Sequence, residues 1–112
     1  MEENKIIRGS LPVVVLQLLQ NNGRMYGYEI TRAVREASKG KMEITEAALY
    51  PTLRKLEEEG YLTTETKMVE GRQRRYYKLN REGKKAATEQ LAILEEAIVS
   101  LKKVFKYKLG NV

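Results

Sequence analysis

Residues 45–60 constrain the fold most, because they contain the signals of one complete helix with a single apolar face. Thr45 can cap the first turn by accepting a hydrogen bond from an unpaired backbone N–H. Gly60 can take the left-handed conformation that commonly follows the last turn. An apolar stripe recurs between them at helical spacing, at Leu49, Leu53 and Leu56. Such a helix is predicted to bury the stripe and to expose the opposite face.

That opposite face is small at its N-terminal end and basic in its middle, which suits a DNA groove. It carries Ala47, Pro51 and Arg54, with Tyr50 and Lys55 at its flanks. Three glutamates at 57–59 would repel phosphates, so the N-terminal half is predicted to enter, as in a recognition helix. Pro51 removes a helical N–H, which predicts either a bend or a helix that begins later than Thr45. Taken alone, such a pattern is more often an ordinary surface helix.

Composition narrows the function classes. The 112 residues predict one domain with a modest core of the kind often completed by dimerisation, and the net charge of +6 suits a polyanionic partner. The chain has no Cys and no His, which excludes disulfides, thiolate or imidazole metal sites and His-based triads. The carboxylates mostly neighbour basic residues or lie on polar faces, and no acid/base pair can be placed in a cleft. We therefore predict no enzyme, no cofactor and no metal.

Two features of the N-terminal region concern location. The longest nearly apolar run, residues 11–19, is shorter than the roughly 20 residues that span a bilayer. Residues 1–5 lack the basic start and apolar core of a signal peptide. A cytoplasmic protein with no membrane partner is predicted.

Two helices are predicted before residue 45. Ser10 can cap the first, which starts at Leu11 and is apolar on nearly every side. A helix of that kind is buried all round, and in so small a chain we expect part of it to meet a second subunit. The second, residues 26–38, is predicted to bury Ile30, Ala33, Val34 and Ala37. A basic connector at 38–41 leads to the recognition helix, which gives a helix-turn-helix.

The pattern becomes extended after Gly60. Residues 61–66 and 74–79 are predicted strands, and residues 68–73, with Gly71, are the predicted hairpin tip. Five basic residues and one acid lie between Lys67 and Lys78, and a solvated charged turn is the plain explanation of such a run. The order of helix, helix, basic hairpin and heptad helix favours instead the wing of a winged helix that binds DNA.

Asn80 is predicted to cap a last helix with a heptad seam. The seam consists of Ala87, Leu91, Leu94, Ile98, Leu101 and Phe105. It could fold back on the first helix of its own chain, but dimer packing is favoured. The predicted dimerisation residues are Leu16, Leu91, Leu94, Ile98, Leu101 and Phe105. In a rival interpretation, this helix docks another protein and the chain does not bind DNA.

The predicted fold is mainly α with a small β-hairpin: a winged helix-turn-helix at residues 1–80 plus a C-terminal dimerisation helix at 81–112. A dimer would place two recognition helices about one duplex turn, roughly 34 Å, apart on a pseudo-palindromic operator. For Tyr50, a phosphate contact and packing beside the wing are equally favoured. Gln73 could reach a base, but a role as a turn residue is favoured. The predicted DNA-binding residues are Lys41, Thr45, Glu46, Ala47, Tyr50, Arg54, Arg72, Gln73, Arg74 and Arg75.

Four stretches resemble the PadR family of bacterial winged-helix transcriptional regulators, in the family's order and spacing. They are Met25-Tyr26-Gly27-Tyr28-Glu29-Ile30, Ala48-Leu49-Tyr50-Pro51-Thr52-Leu53, residues 56–62 (Leu-Glu-Glu-Glu-Gly-Tyr-Leu) and residues 71–79 (Gly-Arg-Gln-Arg-Arg-Tyr-Tyr-Lys-Leu). The single C-terminal helix resembles the compact subfamily. The resemblance implies a homodimer joined by its first and last helices, with repressor activity and release by a small molecule. It also implies a phosphate contact for Tyr50 and a wing carrying Arg72, Arg74 and Arg75.

The resemblance also suggests a ligand site. Some compact members stack flat aromatic drugs on a tryptophan of the last helix, in a pore between subunits. The matching position lies at or near Leu94, and this chain has no Trp. A smaller aliphatic cavity, another ligand or no ligand at all remain open. Val14, Leu94 and Ile98 are the candidate lining residues, with core packing as the plainer role.

Overall fold

The computed structural model describes residues 5–110. Within them the chain forms five helices and a three-stranded antiparallel sheet, which confirms the predicted fold class of a mainly α winged helix. The elements in order are α1 (Lys5–Gly9), α2 (Leu11–Asn22), β1 (Arg24–Tyr26), α3 (Gly27–Ala37), α4 (Glu46–Glu58), β2 (Leu62–Val69), β3 (Arg72–Leu79) and α5 (Arg81–Phe105).

The core is built around α2. Its fully buried residues meet the apolar stripes of α3 and α4, and burying each large aliphatic side chain contributes roughly 1.5–3 kcal/mol. The largest buried side chains are Leu11, Val15, Leu16, Leu19, Ile30, Leu49, Leu53 and Leu56. Val13, Val14 and Leu18 keep part of their surface exposed, so α2 is not buried all round as predicted.

The sheet has the strand order β1-β3-β2, with Met25 opposite Tyr77 and Leu62 opposite Leu79. The short strand β1 was not predicted. The hairpin tip is also tighter than the predicted six residues, because β2 runs to Val69 and β3 starts at Arg72. The two residues between them are Glu70 and Gly71, both with left-handed φ angles, of 50° and 79°. Such a turn matches the twist of paired strands.

Two predicted helix caps are confirmed, whereas a third predicted cap and one predicted buried residue are wrong. Thr45 and Asn80 cap α4 and α5, since their side chains accept hydrogen bonds from the N–H groups of Ala48 and Gly83. Ser10 does not cap α2 through its side chain: its hydroxyl donates to carbonyls of α1, a helix that the sequence patterns did not indicate. Ala37, predicted as buried, is exposed at the end of α3.

The long helix α5 is held only by its N-terminal half. Ala86 and Ala87 are buried, and the Gln17 side chain on α2 donates a 2.6 Å hydrogen bond to the Ala87 carbonyl. Gly83 packs so closely on the Tyr61 backbone carbonyl that a Cβ would clash with it. From residue 95 onward every described residue is exposed, which draws the chain out to 68 Å. The helix α5 begins at Arg81, and the division into two domains at 80–81 stays a prediction. Residues 1–4 and 111–112 of the two predicted domains lie outside the described residues.

Candidate nucleic-acid interface

The outward face of α4 is the first part of the candidate interface. Its three leucines are at most 2% exposed, so the opposite face has to point outward. Four predicted residues lie exposed on that side, at Glu46, Ala47, Tyr50 and Arg54. The capping residue Thr45 and the connector residue Lys41 are exposed as well. The sequence therefore produces an uncovered helix whose N-terminal half is free to meet another surface.

Pro51 lies inside α4 without delaying its start. The helix runs unbroken from Glu46 to Glu58, so the predicted alternative of a later start is wrong. Pro51 cannot donate to the Ala47 carbonyl, but both residues are exposed and water can reach that oxygen. The following residue, Thr52, donates its hydroxyl to the Ala48 carbonyl at 3.2 Å. The proline is tolerated because it lies on the solvent face.

Tyr50 is positioned by the preceding helix. Its side chain is 41% exposed, and the hydroxyl end lies against Gly27 at the start of α3. A Cβ at position 27 would clash with that hydroxyl, so a glycine is needed for this packing. The prediction divided Tyr50 between a phosphate contact and packing beside the wing. The structure shows packing on α3 at one end and an open ring surface beside Arg54.

The wing divides its three predicted arginines between two sides of the sheet. Successive strand residues point to opposite faces, so Arg72 and Arg74 share the outer face while Gln73 and Arg75 share the inner one. Arg72 is exposed, and its side chain has no hydrogen-bond or ion-pair partner within residues 5–110. It is therefore a fully charged group at the base of the hairpin tip.

The outer face of the sheet holds Arg74 against β1. The Arg74 guanidinium lies 4.6 Å from the centre of the Tyr26 ring, and the Tyr26 ring meets that of Tyr76 edge-on at 5.3 Å. Arg24 lies over Tyr76 in the same way, at 5.3 Å. A cation held over an aromatic ring gains about 0.5–1 kcal/mol at an exposed site and keeps its charge. Arg74 is thus oriented without being neutralised.

The inner face of the wing meets α4 in a recess of about 320 Å³. Its lining residues are Tyr50, Arg54, Glu57, Arg75 and Tyr77. Arg75 donates to the Glu57 carboxylate at 2.8 Å and lies 5.7 Å from the centre of the Tyr77 ring. Burial raises the pKa of Tyr77 above its ordinary value, so this phenol stays neutral. Glu57 was not among the predicted site residues, since its partner is 18 positions away and no local pattern joins them.

The candidate ligand residues come together at a second place. Val14, Leu94 and Ile98 all line one apolar groove of about 640 Å³ between α2, α5 and the segment around α1. Gln90 and Ser10 are the polar side chains among its lining residues. The groove is lined largely by aliphatic side chains, and its use as a ligand site stays a prediction.

The predicted dimerisation residues differ sharply in exposure. Leu91 and Leu94 are partly buried against α2. The first half of the seam therefore packs on its own chain, which is the alternative to dimer packing that the sequence left open. Ile98, Leu101 and Phe105 are 44%, 51% and 77% exposed. Leu16 is a correction: it is fully buried in the core of its own chain and has no surface left for a second copy.

Two other kinds of site are absent from the described part of the chain. Residues 5–110 contain no group of three or more acidic, His or Cys side chains that could hold a metal ion. None of the described helices has the length and hydropathy to cross a membrane.

An exposed helix beside a basic hairpin, on a helix-turn-helix core, defines the class of winged-helix proteins. The sequence matches the model of the transcriptional regulator PadR-like family over residues 15–89, and the chain belongs to that family. This confirms the resemblance found in the sequence motifs. The protein is thus a transcriptional regulator of a DNA-binding family and not an enzyme.

Individual relatives agree with this assignment. The chain is 40% identical over 62 residues to the transcriptional regulator Rv3488 of Mycobacterium tuberculosis; the match covers 55% of this chain and 58% of that relative. A transcriptional regulator from Clostridium thermocellum has a similar structure, with a TM-score of 0.81 and 30% identity over 89% of this chain and 97% of the other. Bacillus subtilis PadR in complex with operator DNA gives a TM-score of 0.66 and 29% identity, over 72% of this chain and 45% of that one.

Proposed function

We propose that this protein is a homodimeric, sequence-specific DNA-binding repressor that a small molecule releases from its operator. The observation that carries the DNA-binding part is the uncovered face of α4, which the wing flanks with charged arginines. The similar Bacillus subtilis PadR structure contains operator DNA, which supports the same partner for this chain. The N-terminal half of α4 would enter a major groove while the wing contacts adjacent phosphates.

The roles of individual residues follow from where they lie. Arg54 and Tyr50 face outward on α4, and Lys41, Thr45, Glu46 and Ala47 surround its N-terminal end. Gln73 and Arg72 lie next to the hairpin tip, with Arg74 two residues further along. We expect base contacts from the α4 end and phosphate contacts from Arg72 and Arg74. Phosphate contacts position a protein on DNA without reading its sequence.

A second copy of the chain is supported by the exposed half of α5. Ile98, Leu101 and Phe105 continue the heptad seam beyond the point where the chain itself covers it. Exposed apolar residues in a continuous stripe cost free energy in water, and a second seam would bury them. Dimerisation would also place two α4 helices on successive grooves of one duplex, which suits a pseudo-palindromic operator.

The inducer would be a small, largely apolar molecule bound in the groove lined by Val14, Leu94 and Ile98. Leu94 and Ile98 also belong to the heptad seam, so occupation of the groove would act on the dimer directly. A ligand that favours one dimer geometry shifts the population away from the geometry that fits the operator.

The experiment for DNA binding is a selection from random-sequence duplexes followed by mobility-shift titrations at several salt concentrations. We expect a selected pseudo-palindromic site to bind more tightly than a scrambled duplex. The double variant Arg72→Ala/Arg74→Ala should weaken binding to both duplexes. It should flatten the slope of log K against log salt by about 0.9 for each phosphate that the variant no longer neutralises.

The double variant Lys102→Ala/Lys103→Ala is the matched control, since it removes the same charge from the far part of α5. It should leave the salt slope near that of the wild type. If the wild type enriches no sequence, or if Arg72→Ala/Arg74→Ala binds with an unchanged slope, the proposed interface is wrong.

The inducer is tested with a compound screen that measures release of the selected duplex. In the variant Val14→Phe, a larger side chain narrows the groove from α2 and leaves the residues of the heptad seam unchanged. We expect it to retain DNA binding while losing the response to any compound that releases the wild type. A variant that still responds fully would place the inducer elsewhere.

A further inference from the structure

The three arginines of the wing are not equivalent, and the difference lies in what each side chain contacts. Arg72 is exposed and without a partner among the described residues, and Arg74 lies over the Tyr26 ring. Only Arg75 is paired with an anion, through its 2.8 Å contact with the Glu57 carboxylate. An arginine whose charge is offset by a carboxylate releases fewer counterions from DNA than a free one, so Arg75 is less suited to a phosphate contact than Arg72 or Arg74.

The position of Arg75 points to a mechanical role. It lies on the inner face of β3, the face on which Tyr77 and Leu79 are buried in the core two and four residues later. Glu57 lies in the last turns of α4, beyond the half that is proposed to enter the groove. Their ion pair therefore joins the root of the wing, the end of the hairpin nearest the core, to the C-terminal turns of α4. The Tyr77 ring beneath the guanidinium adds a second contact to the same strand.

Two details strengthen this interpretation. The Glu57 side chain is only 34% exposed, which screens the pair less than two fully solvated charges would be screened. Arg54 lines the same recess one turn earlier on α4 but forms no ion pair there within residues 5–110. Glu57 is thus committed to Arg75, and Arg54 remains available to an external phosphate.

We propose that Glu57 and Arg75 form a brace that fixes the angle between the wing and the recognition helix, so that both are positioning residues for DNA binding. The brace pre-orders the two DNA-contacting elements, and a surface ordered in advance loses less free energy on binding. This inference rests on the proposed DNA-binding function and reassigns Arg75, which the sequence had suggested as a DNA-binding residue like Arg72 and Arg74.

The first test compares single variants on the selected duplex. Glu57→Gln and Arg75→Gln should each weaken binding about two- to fivefold, the size that an exposed ion pair can account for. Arg75→Gln should not change the salt slope, because the charge that it removes is already offset by Glu57. Arg72→Gln should flatten it, since Arg72 is the proposed phosphate contact. A salt slope that flattens in Arg75→Gln as much as in Arg72→Gln would overturn the brace.

The second test is a charge swap. Arg75→Glu alone should bind poorly, whereas the double variant Glu57→Arg/Arg75→Glu restores the pair in reverse and should bind within about threefold of the wild type. If Arg75 instead contacts a phosphate, the swapped protein carries a carboxylate at that contact and stays as weak as Arg75→Glu. The control for Glu57→Gln is Glu58→Gln. It makes the same charge change at an exposed neighbour that has no ion-pair partner in the described part of the chain.

Hydrogen exchange on the free protein separates this inference from the proposed function. Glu57→Gln and Arg75→Gln should raise amide exchange across the root of the wing, residues 64–66 and 75–77, and the charge swap should restore protection. Glu58→Gln should not change it. Unchanged exchange in Glu57→Gln refutes the brace even if DNA binds as proposed. A protein that binds no duplex but shows the exchange pattern keeps the brace and loses the function.

Discussion

The helices α4 and α5 have apolar stripes of similar regularity in the sequence, yet the stripe of α4 is fully buried and that of α5 is buried only at its N-terminal end. In α4 the three leucines of the stripe are at most 2% exposed. In α5 the seam starts at a fully buried Ala87 and ends at Phe105, which is 77% exposed. Helical periodicity thus identifies an apolar face in both helices. It does not tell whether the same chain or a second copy covers that face.

The physical reason is the geometry of the core. The α4 stripe packs on α2 and α3 at the centre of the fold, whereas α5 leaves the core after the turns that contact α2. Residues 95–105 form three turns with no covering layer within the described structure, and a helix of that length is marginal in water without packing. A second copy of α5 would supply the missing layer.

The largest expected difference between the two stripes is in stability. Leu53→Ala should lower the free energy of unfolding by about 2–5 kcal/mol at every protein concentration, because it opens a cavity in the core. Leu101→Ala should lower stability only through dimerisation, so its effect should depend on concentration. Urea unfolding at two widely separated concentrations measures both. Equal, concentration-independent losses would show that the α5 seam is covered within one chain.

The anchoring of α5 at its N-terminal end gives the next effect. Gly83→Ala should destabilise the protein by about 1–3 kcal/mol, because the new methyl group clashes with the Tyr61 carbonyl and backbone has to move. The control is Gly9→Ala, which meets open space and should stay within about 0.5 kcal/mol of the wild type. Thermal unfolding compares them. If Gly83→Ala is as stable as the wild type, α5 does not pack on the Tyr61 carbonyl in this way.

The start of α4 gives a smaller effect. Thr45→Ala removes the hydroxyl that accepts from the Ala48 N–H and should cost about 1 kcal/mol of stability. Thr45→Ser keeps an acceptor at the same place and should lose little. Equilibrium unfolding distinguishes the two variants. If both lose a similar free energy of unfolding, the capping hydrogen bond is not the cause.

The smallest effect concerns the outward face of α4. Gly27→Ala should displace the Tyr50 side chain and weaken operator binding about two- to fivefold, the cost of holding one side chain off its preferred rotamer. The cause can be checked in a Tyr50→Ala background, where the added methyl has nothing to displace. There, Gly27→Ala should have no further effect on affinity. A loss of equal size in both backgrounds would assign it to α3 instead of Tyr50.

The parts of the fold that depend on local patterns could be predicted from the sequence. The α4 helix from its Thr45 cap to Gly60 and the Asn80 cap agree with the structure. Features that depend on distant partners could not. The strand β1 has only three residues and is defined by its pairing with β3, and the buried position of Leu16 depends on how three helices meet.

The candidate site shows the same limit. The sequence indicated which residues are basic or exposed on α4 and the wing, and the predicted strand 74–79 put Arg74 and Arg75 on opposite faces, but it gave no face for Arg72 in the predicted tip. The sequence predicted a six-residue tip at 68–73, whereas only Glu70 and Gly71 lie between the strands, and Glu70 has the left-handed conformation that is uncommon for a residue other than glycine. Because β3 starts at Arg72, the same alternation places Arg72 on the face of Arg74 and Gln73 on the face of Arg75. The contact between Arg75 and Glu57 joins positions 18 residues apart and could not be seen in the sequence.

The molar mass of the protein in solution decides whether a second copy covers the exposed half of α5, on which the proposed mode of DNA binding depends. Light scattering on the wild type at micromolar concentration should give twice the chain mass of 12.9 kDa. Leu101→Asp, which places a charge in the seam, should give the mass of one chain. Its helical circular dichroism signal should fall by no more than the loss of helix at residues 95–105 would cause. A wild type with the mass of a single chain would rule out the dimer and the paired recognition helices with it.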